Sequence, residues 1–442
     1  MAENAAATGV LQSYWQRIGD MPVAAADASE TPALPDSVDY VVVGGGFAGL
    51  ATAVRMAEMS GGARIAVLEA KGVGYGASGR NGGLMSPLPA PIWLFSAAND
   101  PEHREAMGDL NRLVAEAASW LAAMAPDAEV RPLPLALEAK GRVMDAGIEH
   151  VARVLERAGI GHRLEQAVGA QRFRTLWVPA HTVNPYRVVL ALACEARRLG
   201  VTIHERTSVS AIGQWPGSRD AEITLGDGRT IRARSVVLAT NAYTPSVNLE
   251  EPPKAKVMHN YMVATKPLSD ELIRAIGGGG KFVVELNKAY VFYRVHDRRL
   301  VFGGIEKFSQ NEPGDLDVPA KIMMGLRRHL AETLPAGALA EIAEAWGGRF
   351  HMSRTDLPII RRSRATPALV YNVAYGGTGV ALSLTLAPVA AALALEQPVT
   401  DARLRRVHEV MARTGLPVAG FSRFALNVGR GLVSGMFAPK RG

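Results

Sequence analysis

A single cysteine, Cys194, excludes any intrachain disulfide and any structural zinc held by several cysteines, and it fits a reducing cytoplasm better than an oxidising compartment. Aromatic residues are scarce at 6%, which argues against a β-sandwich rich in tyrosine and tryptophan; 45 glycines and an alanine-rich background favour closely packed helices and glycine turns. HExxH, paired cysteines and GxSxG are all missing, so metalloprotease, zinc-module and serine-hydrolase chemistries have no support, and no metal is expected. The first 35 residues lack a basic start followed by an apolar core and carry Glu3, Asp20, Asp27 and Glu30, so export is not expected and the chain reads as cytoplasmic. The longest uncharged stretch, Tyr375 to Leu395, is rich in Gly, Ala and Thr and contains Pro388, which suits a buried helix better than a membrane span.

What is present is a chain of 442 residues, 48% hydrophobic and 21% charged, able to bury a sizeable core and to fill two or three domains. The formal net charge is +7, and most of it is concentrated. From Asp401 to Gly442 the basic residues Arg403, Arg405, Arg406, Arg413, Arg423, Arg430, Lys440 and Arg441 stand against Asp401 and Glu409, so this tail alone carries +6. A basic stripe with interleaved aromatics is missing, and nucleic acid is not an expected partner. Within the tail, Phe421 to Phe437 reads as an amphipathic surface helix whose expected fate is packing on the body, with peripheral membrane contact as the alternative.

Along the chain, residues 1–37 read as an arm in which only Leu11 to Ile18 is able to dock. Tyr40-Val-Val-Val43 is a β-branched run of the kind buried on both faces of a parallel sheet; a helix through Met59 and a second apolar strand, Arg64 to Glu69, complete a βαβ unit. Helical patterning at Arg104–Met124 and Ala146–Ala158, with a strand near Leu133–Ala139, marks an inserted region. The sheet pattern resumes at Pro185–Leu199, Val201–His204, Ala221–Leu225, Thr230–Ala233 and Ser235–Thr240. Strands at Val257–Thr265, Lys281–Leu286, Tyr290–Val295 and Arg299–Gly303, then a helix at Pro319–Leu334, predict a second, antiparallel domain. Val370–Val373 and a long apolar helix to Leu395 return to the first. The expected division is an arm at 1–37, a nucleotide-binding domain from 38–89, 183–250 and 340–397, a second domain from 90–182 and 251–339, and a basic tail at 398–442.

Three glycine loops carry the chemistry. In Gly44-x-Gly46-x-x-Gly49 the first glycine permits the tight turn, the second lets a pyrophosphate approach the backbone and the third lets helix and strand pack closely. Glu69, twenty residues after Gly49, can accept hydrogen bonds from ribose hydroxyls. The second loop, Gly76-Ala-Ser-Gly-Arg-Asn-Gly-Gly83, has small residues along which a flat ring can lie, although an ordinary surface loop has the same composition. The third, Tyr375-Gly376-Gly377-Thr378-Gly379, opens a helix whose N-terminus would face the edge of a flavin where negative charge accumulates; a purely structural helix entry reads the same way.

Taken in this order, the loops resemble those of the FAD-dependent D-amino-acid-oxidase superfamily, with glycine and sarcosine oxidases among its members. Gln12-Ser-Tyr-Trp15, the 76–83 loop and Ala345-Trp-Gly-Gly348 look most like the gamma-glutamylputrescine oxidoreductase branch. The resemblance covers residues 11 to 395. It implies an α/β plus α+β fold class: a discontinuous Rossmann-like FAD-binding domain with a second, antiparallel-sheet substrate domain. It implies that Gly44, Gly46, Phe47, Ala48, Gly49 and Glu69 hold the ADP part of FAD, with Val209 and Thr240 in the same cofactor-binding set. Ser78, Arg80, Asn81 and Gly82 would line the flavin, and Gly376, Gly377, Thr378 and Gly379 would face its pyrimidine edge. Asn241 stands where the family has glycine, which puts the local path in question. Cys194 lies far from these positions and the 76–83 loop has no histidine, so non-covalent FAD is expected, with His351 as the reservation.

The resemblance further implies a cytoplasmic flavoprotein that oxidises the C–N bond of a small amine or amino acid. The expected catalytic set is His259, Tyr293, Arg294 and His351, with Tyr261 and Arg354 beside the ring as well. Tyr293 and Arg294 are neighbours on a strand and so face opposite ways. Arg294 suits a substrate carboxylate, which a guanidinium matches bidentately, although a surface arginine has the same signature. Val301 stands where the sarcosine-oxidase branch has an oxygen-activating lysine, which leaves the electron acceptor open. Two rival readings stand beside this one: an NAD(P)-linked oxidoreductase, for which a second GxGxxG is missing, and a flavin-bearing subunit of a larger amine dehydrogenase that docks through its basic tail.

Overall fold

The computed structural model describes residues 12–19, 33–88, 91–139, 142–166, 174–286, 291–308, 317–335 and 339–414. Tyr290, the segment Phe421–Phe437 and most of the 1–37 arm lie outside the described residues.

The strand Ser37–Val43 lies inside a nine-stranded sheet, parallel to Ile65–Leu68 on one side and to Thr230–Leu238 on the other. Thr202–His204 and Leu369–Val373 extend the parallel set outward. Thr230–Leu238 is one strand where two were expected, and it changes character along its length. Its first half alternates exposed and buried residues against the antiparallel Ala221–Leu225; its second half, between parallel strands, is buried throughout. Arg234 does not interrupt it, because its side chain points outward to Asp39. The helix Phe47–Met59 follows the first strand and packs against Pro185–Arg198 and Ala387–Ala394.

The second sheet has eight strands in the order Ile342–Ser353, Ala255–Thr265, Arg299–Phe308, Val291–His296, Phe282–Leu286, Leu135–Ala139, Arg174–Val178, Arg163–Glu165. It is antiparallel except where Phe282–Leu286 runs parallel to Leu135–Ala139. Ile322, Leu326 and Leu330 of the helix Ala320–Thr333 bury into the core over one face.

Three local expectations change. Ile342–Ser353, assigned from position 340 onward to the first domain, is paired along its length with Ala255–Thr265 and belongs to the second sheet. The helix Pro101–Met124, assigned to the second domain, packs instead on Gly379–Thr385 of the first and on Ala402–Arg413, which was assigned to the tail, burying Met107, Leu110, Val114 and Leu121. The long apolar helix is two, Gly379–Thr385 and Ala387–Ala394, bent by 66°. Pro388 has no N–H to give the preceding turn, which breaks the ladder there. No single helix among the described residues is long and apolar enough to cross a membrane.

Candidate functional site

The first loop is shaped by what a side chain would strike. Gly44 has φ +113°, and a Cβ there would lie 2.7 Å from the Ala239 carbonyl oxygen; a Cβ on Gly49 would run into the Gly44 carbonyl. Gly46 caps the helix Phe47–Met59 without a side chain, and a Cβ on it would come within 2.8 Å of Ser78 Oγ. That oxygen accepts from the Phe47 N–H at 2.9 Å. Glu69 closes the turn by accepting from Gly45 N–H at 2.7 Å and Lys71 N–H at 2.9 Å, while burial pushes its carboxyl above the ordinary value. Thr207 N–H bonds the Glu69 carbonyl, and Val209, buried in the sheet core, begins the next strand.

The second loop is held by its carbonyls. Ser13 Oγ donates to Gly79 O at 2.7 Å, Trp346 Nε1 to Arg80 O at 2.9 Å and Trp15 Nε1 to Asn81 O at 2.7 Å. Three consecutive acceptors are thus gripped from the N-terminal segment and the second sheet. Asn81 ties the interior of the turn, donating to Ala77 O and Ser78 O and accepting from Gly83 N–H at 2.7 Å. Gly82 lies flat against Phe282 and Phe292, where a Cβ would approach to 3.2 and 3.1 Å.

In the third loop Gly376 has φ +55°, and the Asp356 carboxylate occupies the place of a Cβ. The Tyr375 hydroxyl donates to Asn372 Oδ1, and Asn372 Nδ2 donates to Thr52 Oγ1 at 3.0 Å, linking this loop to the first helix through a buried chain. Asn241 takes the left-handed φ of +44° that glycine favours and that asparagine tolerates, and its Oδ1 accepts from the N–H of Ala374, itself at φ +65°.

All three loops meet in one cavity. From the cofactor set it is lined by Gly46, Phe47, Ala48, Ser78, Arg80, Asn81, Gly82, Gly376, Gly377 and Gly379. Gly44, Gly49, Glu69, Val209, Thr240 and Thr378 lie outside the lining: the glycines and Glu69 shape the turn behind it, Thr240 bonds Thr244, and Thr378 bonds back to Tyr375 O.

None of the four expected catalytic residues lines the cavity. His259 and His351 are buried beside it, but the residues that face it are their neighbours Asn260 and Phe350. Tyr293 turns to the other face of its strand, stacks on Phe302, and is pushed up by burial. Arg294 shares the face of Phe292, which does line the cavity, but it lies one repeat further along. There it donates to Val183 O at 2.8 Å and sits 4.7 Å over the Trp15 ring. The residues the sequence reading missed include Arg349, Asn260, Met262, Phe282, Phe292 and Phe350. Period-two patterning could have shown that neighbours on these strands divide between two faces, but it does not say which face meets the first domain.

Among the described residues the lining contains no Asp or Glu, presents the backbone of a helix entry at one end, and offers small residues and aromatic rings at the other. That donor set suits an anionic dinucleotide carrying a flat ring. The model of the FAD dependent oxidoreductase family matches residues 39–393. A probable oxidoreductase, OrdL, of Rhizobium meliloti is 28% identical over 388 residues, covering 82% of this chain and 85% of its own. The gamma-glutamylputrescine oxidoreductase of Escherichia coli is 25% identical over 362 residues, covering 77% and 80%. Among solved structures, glycine oxidase from Geobacillus kaustophilus superposes with a TM-score of 0.68 at 19% identity, over 83% of this chain and 96% of that one, and so shares the fold. L-proline dehydrogenase from P. horikoshii shares it too, with a TM-score of 0.68 at 17% identity, over 85% and 99%. With the family model spanning both sheets and all three loops, the chain belongs to the FAD-dependent oxidoreductases.

Proposed function

We propose that this enzyme oxidises the C–N bond of a small amine or amino acid that carries a carboxylate, and that Arg349 anchors that carboxylate. FAD, when bound, supplies the two-electron oxidant that converts the amine to an imine, which water then hydrolyses. The remaining work belongs to the chain. Gly46 and Ala48 would offer backbone N–H groups to the pyrophosphate, while the Phe47 N–H is held by Ser78 Oγ, with Glu69 for the ribose. Ser78, Asn81, Gly82 and the 376–379 loop would seat the ring. Met262, Phe282, Phe292 and Phe350 would exclude water and pack the substrate body, and Asn260, opposite Gly348, would add a polar group to the same wall.

The observation that carries this reading is a mostly apolar cavity in which, among the described residues, guanidinium groups and no carboxylate are the charged groups. The two relatives at 25–28% identity are named as oxidoreductases, one of gamma-glutamylputrescine, and the fold neighbours include glycine oxidase. Those names support amine substrates. The described lining has neither Cys nor His, which supports non-covalent FAD; the flavin should leave with the supernatant when the protein is precipitated by acid.

Anaerobic addition of amines and N-alkyl amino acids to the purified yellow protein tests the reaction class. Bleaching of the visible bands by a carboxylate-bearing amine is expected, and readmitting air shows whether oxygen is the acceptor. Arg349→Ala should raise KM for that substrate by about tenfold or more, as for a lost charge-assisted pair, with a smaller effect on a neutral amine. Equal loss on both substrates would remove Arg349 from the anchor role.

A further inference from the structure

A second cavity, of 460 Å³, shares no lining residue with the first, and nothing in the proposed reaction uses it. Three arginines line it: Arg131, Arg187 and Arg294. Arg294 is 4% exposed, and among the described residues it makes no ion pair and its Nε has no hydrogen-bond partner. A buried guanidinium without a counter-ion is costly unless something pairs with it. Burial lowers its pKa to about 10, which still leaves it charged at neutral pH.

Glu129 favours the charged form of Arg294 from a distance, but among the described residues no carboxylate comes within ion-pair reach of it. Glu129 lines the same cavity, but its carboxylate is already shared by His296 Nε2 at 2.8 Å, Arg187 Nη1 at 3.0 Å and Asn184 Nδ2 at 3.4 Å. Asp297 lies at the exposed rim. Arg187 Nε is likewise buried without a partner, although its other nitrogens hold Glu129, Asp127 O and Ile18 O. Arg131, also at the rim, makes no ion pair among the described residues.

We propose that this cavity binds a small organic carboxylate, whose head lies between Arg131, Arg187 and Arg294 and whose hydrocarbon body rests on Ile18, Pro132, Leu133 and Val295. The planar guanidinium fork matches a carboxylate. The apolar wall favours an organic acid over an inorganic anion. Such a ligand would also sit close to the second loop, because the Val183 carbonyl accepts from Arg294 while the Val183 N–H donates to Gly83 O at 2.9 Å.

Isothermal titration of the FAD-loaded full chain with succinate and, separately, with inorganic phosphate tests this, using the Arg349→Ala protein so that the first cavity has lost its proposed anchor. Succinate should still bind, and Arg131→Gln on that background should weaken it by about tenfold, the scale of one charge-assisted contact. Arg294→Gln should do at least as much; Arg131, being exposed, keeps the test decisive should the buried change unfold the protein. Absence of succinate binding in Arg349→Ala would overturn the proposal. So would binding unaltered by Arg131→Gln, or phosphate binding as tightly as succinate.

Discussion

At single positions the loops show why particular residues are needed. Gly46 is the clearest case, because its missing side chain leaves the helix entry open and clears Ser78 Oγ. Gly46→Val should abolish copurification of FAD while the circular dichroism stays native; stoichiometric flavin in that variant would contradict the pyrophosphate assignment. Asn241 is the complementary case: a side chain tolerated at φ +44° because it is polar, and useful because it bonds the strained Ala374. Asn241→Ala should cost about 1–2 kcal/mol, from an unsatisfied N–H and a left-handed alanine. Chemical denaturation of the apoprotein would measure it.

Among elements, the short N-terminal helix Tyr14–Ile18 has an influence out of proportion to its length. Tyr14 and Trp15 are fully buried, and Ser13 and Trp15 each hold a carbonyl of the loop expected to seat the flavin. Trp15→Phe keeps most of the ring packing and leaves the Asn81 carbonyl unpaired, at about 1–3 kcal/mol. Its expected signature is a weaker flavin Kd, read by quenching of FAD fluorescence, alongside a lower Tm. Unchanged flavin affinity would reduce the segment to a packing element. The basic helix Ala402–Arg413 has the opposite lesson. Arg403, Arg406 and Arg413 pair with Glu116, Asp109 and Glu102 on the helix Pro101–Met124. The tail's charge up to that point is thus largely paired within the molecule.

Across the assembled protein, pH acts through groups that folding has moved off their ordinary values. Glu129 is held down to about 2, chiefly by its bond to His296. A depressed carboxyl stabilises fully above its unfolded value and loses that contribution as pH falls through the folded one, so this effect is spent between about pH 4.5 and 2. His351, His204, His181 and His150 are lowered, each mainly by burial. Their neutral forms favour folding above 6.5, and that advantage declines as pH drops below it, because the unfolded chain takes up protons first. The Tm should therefore fall between pH 7 and 5, before the Glu129 effect begins, and His351→Gln should flatten part of that slope. The rate should behave differently. With no His, Asp or Glu lining the described cavity, kcat/KM should rise with pH along the ionisation of the substrate amine itself. A profile set by one pKa near 6.5 for every substrate would point to a histidine after all.

Short-range chemistry was readable from residue order. Gly44, Gly46, Gly49 and Glu69 announce a strand, a turn and a helix entry because each acts on atoms a few bonds away, and the 76–83 and 375–379 loops identify themselves in the same local way. The boundary at Pro388 could have been read too, since a missing N–H is a local fact. The substrate side resisted, because a strand period of two names a pair of faces without saying which one meets the other domain. His259 and His351 attracted attention by their chemistry, but pairing with the neighbouring strands turned Asn260 and Phe350 toward the cavity in their place. The same cause separates Arg294 from Phe292: they share a face, and only the contacts of Arg294 with Trp15 of the N-terminal segment and with the Val183 carbonyl decide that one meets the FAD cavity and the other a second one. Fold and cofactor follow from contacts local in sequence, whereas the choice among candidate anchors was made by residues hundreds of positions apart.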